Sequence, residues 1–372
     1  MTSTSDNPQN DVSRSEIWAG PSLANAAKTL VFAAPSARMA RAQGGRKIMT
    51  TKVAAACRNA LAVAAVLTFS SGALAQYPER PIRVVTPFPA GGAVDIVTRL
   101  VTEKMASELG RAFVIEAKPG GGGIIATDAV AHSNPDGYTL LITTPNHTIN
   151  AALHAKLPYD TQKDLVPISI VAEVPEVLVS HPDVPYKDFR GFVEYARKNP
   201  GKLNYSSAGI GTLPHITMEV MLKRLDAKVT HVPYRGAAPA MTDLLAGVVQ
   251  LKLDTYATSA QHVAAGKLRA LAYGARARSP LMPDVPTVAE MGVPGYEGIL
   301  WIGLMAPAKT PQAVIDKLKA AAAKAVRAPE LIERFKRDGV DPVGGTPEDF
   351  RAQIAREIPQ WREVIVSANI KP

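Results

Sequence analysis

The chain has almost no cysteine. Its 372 residues include a single one, Cys57, and none follows it. Disulfides, thiol catalysis and cysteine-ligated metals are therefore excluded downstream of that position. Long apolar segments are also missing. Because a membrane-spanning helix needs a run of about 18 or more apolar residues, we expect no transmembrane helix.

The sequence also lacks the short motifs that mark common enzymes. It contains no Gly-x-Ser-x-Gly, no P-loop and no His-Glu-x-x-His. The seven histidines show no close metal-ligand spacing. We therefore expect no catalytic residues, no metal site and no cofactor. Since a nucleophile and its base can come together in space from distant positions, a periplasmic hydrolase stays open as a weaker alternative.

Positive charge is modest once the N-terminal region is set aside. Eight of the 42 basic residues and three of the 33 acidic residues precede residue 76, so the rest of the chain carries a net charge of only +4. This charge is too weak to indicate nucleic-acid binding, but it is compatible with a small acidic ligand.

Residues 52–75 have the order of an export signal. Lys52 and Arg58 precede an apolar run at 60–69, and Ala-Leu-Ala at 73–75 fits a small-residue cleavage site. Cleavage after Ala75 predicts a mature chain that is periplasmic.

The leader is longer than such a signal needs. A signal that starts at Met49 has 27 residues, an ordinary length, whereas 75 residues are too many. Residues 1–48 are therefore interpreted as an upstream extension of the reading frame, with a real leader as the alternative.

Strand-like apolar runs alternate with helix-like patterns after the leader, which predicts an α/β fold. Two strand–glycine-turn–helix units, about 120 residues apart, indicate two similar lobes. Extended runs near 170–180 and 295–305 predict the crossovers. We predict a first lobe of residues 76–175 plus 300–372 and a second of 176–299. Each lobe is expected to be a mostly parallel sheet flanked by helices, with a ligand cleft between them.

The first glycine turn, at residues 87–92, is the segment around which the chain is organised. Such a turn presents free backbone N–H groups at a helix start, where the helix dipole favours an anion. A tight structural connection is the alternative. Asp95 is interpreted as complementing the dipole rather than as a ligand contact. The candidate ligand-binding residues here are Phe88, Ala90, Gly91, Gly92 and Ala93.

The second glycine turn, at residues 207–212, has the same form, and here side-chain hydroxyls lie beside free backbone N–H groups. His215 lies in the first turn of the next helix, where a structural hydrogen bond is as good an interpretation as a ligand contact. The candidate ligand-binding residues here are Ser207, Ala208, Gly209, Gly211, Thr212 and His215.

Polar residues at other strand ends complete the set of candidates. Thr144 and Asn146 follow one strand and Asp254 ends another, on what should be the cleft side. Asp254 could receive a ligand hydroxyl or amine, or cap the following helix. Trp301 could wall the cleft or belong to the core.

These segments together closely resemble one family, the periplasmic solute receptors of tripartite tricarboxylate transporters, also called Bug receptors. No single motif is decisive, but their number, order and spacing over the whole mature chain make the resemblance specific. It rests on Pro-Phe-Pro-Ala-Gly-Gly at 87–92 with Asp95 and Arg99, and on segments 77–82, 118–123, 135–140, 157–160, 207–212, 231–236, 266–271 and 281–287.

The resemblance implies a two-lobed Venus-flytrap fold without catalysis. It implies capture of a small organic acid, with a carboxylate held by amides of both glycine turns, and delivery to membrane permease subunits. A sensory receptor of the same fold is the alternative. A monomer is expected. The acid itself stays open among dicarboxylates, tricarboxylates, acidic amino acids and aromatic acids.

Overall fold

The computed structural model describes residues 77–371. The predicted leader, export signal, cleavage site and Cys57 lie outside the described residues. Within 77–371, no helix is long and apolar enough to cross a membrane.

Strands and helices alternate along the described residues, as the sequence predicts. The strands are β1 (Ile82–Thr86), β2 (Phe113–Ala117), β3 (Thr139–Thr143), β4 (Leu165–Ser180), β5 (Asn204–Ser207), β6 (Thr230–Pro233), β7 (Leu251–Thr255), β8 (Arg269–Tyr273), β9 (Ile299–Pro307) and β10 (Asp341–Pro342). The helices are α1 (Ala93–Leu109), α2 (Ile124–Ala131), α3 (Asn146–Leu153), α4 (Phe189–Lys198), α5 (Leu213–Arg224), α6 (Ala237–Leu245), α7 (Tyr256–Ala264), α8 (Gln312–Val326), α9 (Pro329–Asp338) and α10 (Pro347–Ala368).

The strands form a mixed sheet in the order β2-β1-β3-β9-β4-β7-β5-β6, with β8 and β10 also paired to β4. The parallel pairs are β1 with β2 and β3, and β5 with β6 and β7. Every pair that involves β4 or β9 is antiparallel. The α/β prediction is confirmed, but "mostly parallel" is wrong in detail, because two long strands run in opposite directions through the centre.

Strand β4 runs through the whole sheet and joins its two halves, one formed with β2, β1, β3 and β9 and the other with β7, β5, β6 and β8. Its first part pairs with β9 as far as Pro175, and from Glu176 onward it pairs with β7 and β8. The extended run predicted near 170–180 is part of one strand of 16 residues that continues through Pro175. The change of partner falls beside the predicted lobe boundary at residues 175 and 176, although the lobe limits themselves stay a prediction.

Both faces of the sheet are buried. Val84 and Val85 are adjacent in β1, yet each packs into a different apolar cluster, because successive strand residues point to opposite faces. In the other half of the sheet, the adjacent residues Leu178 and Val179 likewise pack into two different apolar clusters. Strands buried on both faces read as continuous apolar runs, and this explains why the sequence indicates them clearly.

Two helices lie where no helix is predicted, although Leu331 and Phe335 of the second have the spacing of one buried helical face. Helix α3 starts directly after β3, where only polar strand-end contacts are predicted. Helix α9 follows α8 almost without a loop and begins at Pro329, a residue tolerated in the first helical turn.

Candidate functional site

A cavity lies where the two halves of the sheet face each other, and it takes its lining from both. Most of the lining is apolar, with Phe88 and Leu300 among the larger side chains. The ionisable residues in it are Asp95, Glu176, Lys252 and Asp254. Its remaining lining residues are Pro89, Gly92, Ala93, Val94, Asn146, Ala208, Thr212, Pro214, Ala237, Leu253 and Thr255.

Five helix N-termini meet at this cavity. Ala93, Asn146 and Ala237 are the first residues of α1, α3 and α6, Pro214 is the second of α5, and Thr255 precedes α7. In none of these five described helices does the side chain of the N-cap residue itself accept a hydrogen bond from the first turn. Helix starts carry unsatisfied N–H groups and partial positive charge, so their convergence makes the cavity attractive to an anion.

The side chain of Asp95 hydrogen-bonds the first glycine turn. Its carboxylate accepts the backbone N–H of Gly91 at 3.2 Å and pairs with Arg99 at 2.9 Å. Gly91 has φ +94°, a conformation that favours glycine. The carboxylate charge of Asp95 is thus compensated by Arg99. This geometry gives Asp95 a structural role at the helix start, as interpreted, although Asp95 also lines the cavity.

The second glycine turn is held by two histidines. Gly211 N–H donates to His215 Nδ1 at 3.1 Å, and Ser207 Oγ lies 2.6 Å from His231 Nε2. The two imidazoles stack with ring centroids 4.0 Å apart. Burial lowers the pKa of His215 to about 4 and that of His231 to about 3. Both rings are therefore neutral at pH 7, and His215 accepts a hydrogen bond in support of the turn.

The two halves touch across the cavity. Asn146 Oδ1 accepts the backbone N–H of Leu213 at 3.1 Å, and Asn146 Nδ2 donates to Gly122 O at 3.0 Å. Nearby, a Cβ atom on Gly236 would lie 2.7 Å from Pro89 Cγ. These contacts describe a closed arrangement of the cleft.

Half of the predicted ligand-binding residues line the cavity. They are Phe88, Gly92, Ala93, Asn146, Ala208, Thr212 and Asp254. The other half lie outside its lining: Ala90, Gly91, Thr144, Ser207, Gly209, Gly211 and His215. Gly91 and Gly209 border neighbouring crevices, and Ala90 is exposed. Ser207 and His215 hold the second turn, and Thr144 is fully buried.

Three ionisable residues of the lining are absent from the sequence-based candidates: Asp95, which was interpreted as complementing the helix dipole, and Glu176 and Lys252, which carried no interpretation. Glu176 lies in β4 and Lys252 in β7, each within an apolar run. Lys252 Nζ lies 2.5 Å from Asp254 Oδ1, and both side chains are buried. The available signal was a charged residue that interrupts a strand otherwise fit for burial, because such residues are rarely buried without a partner.

The structure also places Trp301, whose interpretation was open, and Arg235 of the segment 231–236. Trp301 belongs to the core: it is 2% exposed, packs on Phe350 and donates from Nε1 to Glu357 Oε1 at 2.9 Å. Arg235 is exposed and borders an outer crevice rather than the cavity. No cluster of three or more metal-ligating side chains occurs among the described residues.

Comparison with known sequences gives one family. Residues 97–370 match the model of the TctC family, described as tripartite tricarboxylate transporter family receptor. A protein from the tcbD-tcbE intergenic region of Pseudomonas sp. strain P51 is 38% identical, over 84% of this chain and 95% of that one. Protein BugT of Bordetella pertussis is 35% identical, over 79% of this chain and 91% of that one.

Solved structures give the same answer. The periplasmic binding protein BugD has a TM-score of 0.77 and 35% identity, over 79% of this chain and 99% of that one. Rpa4515 of R. palustris, solved with adipate, has a TM-score of 0.77 and 33% identity, over 80% and 99%. MatC of Rhodopseudomonas palustris, solved with bound malate, has a TM-score of 0.74 and 34% identity, over 78% of this chain and 100% of that one. These neighbours are binding proteins, and they confirm the predicted two-lobed fold.

Proposed function

The chain belongs to the tripartite tricarboxylate transporter family of receptors, and from that premise we propose that it is a periplasmic receptor for a small organic acid. The acid is captured in the cavity between the two halves of the sheet and is handed to membrane permease subunits. Solved relatives contain adipate and malate, both carboxylates, which supports a carboxylate as the ligand here.

The observation that carries this proposal is the convergence of five helix N-termini on one cavity. Of the helices that begin away from the cavity, α4 and α10 are capped by the side chains of Asp188 and Thr346, whereas α2, α8 and α9 have no side-chain cap, so it is the convergence that distinguishes the cavity. At the cavity the first-turn N–H groups of α1, α6 and α7 have no such cap. A carboxylate that enters would accept hydrogen bonds from them and meet the positive ends of the dipoles.

We propose no catalytic step. Among residues 77–371, Ser207 and His231 come nearest to a nucleophile and base, with Oγ and Nε2 2.6 Å apart. However, Ser207 is fully buried and also hydrogen-bonds Gly209, and neither residue lines the cavity. The rings of Tyr205 and His215 stack on His231. The pair therefore holds the second turn.

The proposal is tested by a thermal-shift and calorimetry screen of the purified protein. The panel contains dicarboxylates, tricarboxylates, acidic amino acids and aromatic acids, with uncharged sugars and simple amines as controls. At a hundredfold excess over Kd, a true ligand should stabilise the protein by about 2.7 kcal/mol. Stabilisation by sugars or amines and by none of the acids would contradict the proposal.

Delivery to a permease is tested separately in cells. Deletion of the gene should reduce uptake of the acid identified in the screen, and plasmid-borne protein should restore it. Unchanged uptake, together with tight binding in vitro, would remove the transport role and leave the binding role.

A further inference from the structure

The floor of the cavity contains an unusual group of buried charges, formed by Glu176, Lys252 and Asp254. Their exposed fractions are 3%, 2% and 5%, and all three line the cavity. Charged side chains are rarely this buried unless they are paired. The pairing within the group therefore indicates what a ligand must supply.

Lys252 is already engaged. Its ammonium lies 2.5 Å from Asp254 Oδ1 and 3.4 Å from the carbonyl oxygen of Leu253. Asp254 Oδ2 accepts the hydroxyl of Thr258 at 2.7 Å. This ion pair is balanced within itself, with one positive and one negative charge.

Glu176 has no such counter-charge. Its carboxylate accepts the hydroxyl of Thr217 at 2.8 Å, and no ion pair within 4.0 Å includes it among the described residues. The groups that face it are Thr217 of α5, Tyr296 of the loop before β9, and Lys252 and Asp254 of β7. Burial raises the pKa of Glu176 to about 7, although the hydroxyl of Thr217 and the charge of Lys252 act in the opposite direction.

Resting on the proposed function, we propose that the ligand is a carboxylate that also carries an amine, and that its ammonium group sits at Glu176 and Asp254. The carboxylate of the ligand occupies the helix N-termini. Its ammonium supplies the missing positive charge. Two cations, Lys252 and the ligand ammonium, then lie beside two carboxylates, Glu176 and Asp254. A ligand with a second carboxylate would instead place three carboxyl groups around one lysine, and Glu176 would have to hold a proton to avoid three negative charges in a buried site.

The test uses three matched series of acids with the same chain lengths: ω-amino acids such as 4-aminobutyrate, ω-hydroxy acids such as 4-hydroxybutyrate, and dicarboxylates such as glutarate. Calorimetry gives Kd for each. The tightest-binding amino acid should bind about tenfold or more tightly than its hydroxy and dicarboxylate counterparts, as expected for a charge-assisted contact in a buried site.

Glu176→Gln removes the charge with little change in shape. It should abolish the preference of the protein for the amino acid over the hydroxy acid, while binding of the hydroxy acid persists. Glu173→Gln is the matched control: Glu173 lies on the same strand and borders a separate surface crevice, so this variant should keep the preference. Continued binding of the hydroxy acid also shows that the Glu176→Gln variant is folded.

The outcomes separate the two proposals. Equal or tighter binding of a dicarboxylate, or a preference for the amine that survives Glu176→Gln, overturns this inference and leaves the carboxylate receptor intact. Failure of every acid in all three series and in the wider screen overturns the receptor proposal as well.

Discussion

Asn146 at the start of α3 accepts the backbone N–H of Leu213 at the start of α5, at 3.1 Å across the cleft. Asn146→Ala removes this bond and should favour the open form. Because one hydrogen bond contributes about 1 kcal/mol, Kd for the acid should rise about fivefold. Calorimetry measures Kd, and small-angle X-ray scattering measures the radius of gyration with and without ligand.

Asn150→Ala is the control for this prediction. Asn150 Nδ2 donates to the same Gly122 carbonyl, at 3.1 Å, as Asn146 does, and it does not line the cavity. The alanine variant at 150 should therefore bind nearly as the parent does. If both variants weaken binding equally, the support of Gly122 matters rather than the bond between Asn146 and Leu213.

The sequence predicts the lobed α/β fold because the relevant signals are local. The glycine turns follow strands that are buried on both faces, and such strands are continuous apolar runs, as at Val84 and Val85. Phe88, Gly92 and Thr212 were found by the same reasoning, since a turn between strand and helix shows in the sequence.

The rest depends on pairs of residues that are distant in sequence. Asn146 and Leu213 are 67 positions apart, and the polar residues of the helix that carries Asn146 are buried, against the usual expectation for polar side chains. Glu176 and Lys252 lie on two strands whose register decides whether they share a cavity. A sequence shows each charge but not the neighbour that makes its burial tolerable.

Gly92 should tolerate alanine but not leucine. Its φ of −93° is open to any residue, and a Cβ atom there would lie 3.5 Å from Ala237 Cβ, an ordinary contact. A leucine side chain would extend between the two helix starts and exclude the ligand carboxylate. Gly92→Ala should bind within a few-fold of the parent, whereas Gly92→Leu should lose binding and keep its melting temperature. Normal binding by a folded Gly92→Leu would make the first turn a connection only.

Lys252 and Asp254 should be coupled in stability. Lys252→Met leaves a buried carboxylate unpaired and should cost about 3 kcal/mol in the free energy of unfolding. Lys252→Met with Asp254→Asn removes both charges and should recover most of that loss. Urea unfolding of the parent, both single variants and the double variant gives the coupling energy. Additive effects of the two changes would show that the two side chains do not interact.

Glu176 should make stability depend on pH. Burial raises its pKa from 4.5 to about 7 in the folded protein, so the folded state binds the proton more tightly than the unfolded chain does. The contribution is fully present below pH 4.5 and is lost as pH rises to 7. At about 1.4 kcal/mol per pKa unit, the loss is about 3 kcal/mol. Glu176→Gln cannot ionise, so it should gain about that much relative to the parent between pH 4.5 and 8.

Urea unfolding of the parent and the glutamine variant across this range measures the difference directly, and other titrating groups cancel in the comparison. A difference that stays constant with pH would show that folding does not shift the pKa of Glu176. Saturating 4-aminobutyrate adds a second arm. An ammonium beside Glu176 favours its ionised form and should lower its pKa, so the pH-dependent difference should shrink in the bound protein. Saturating 4-hydroxybutyrate brings no charge to Glu176, so the difference should stay.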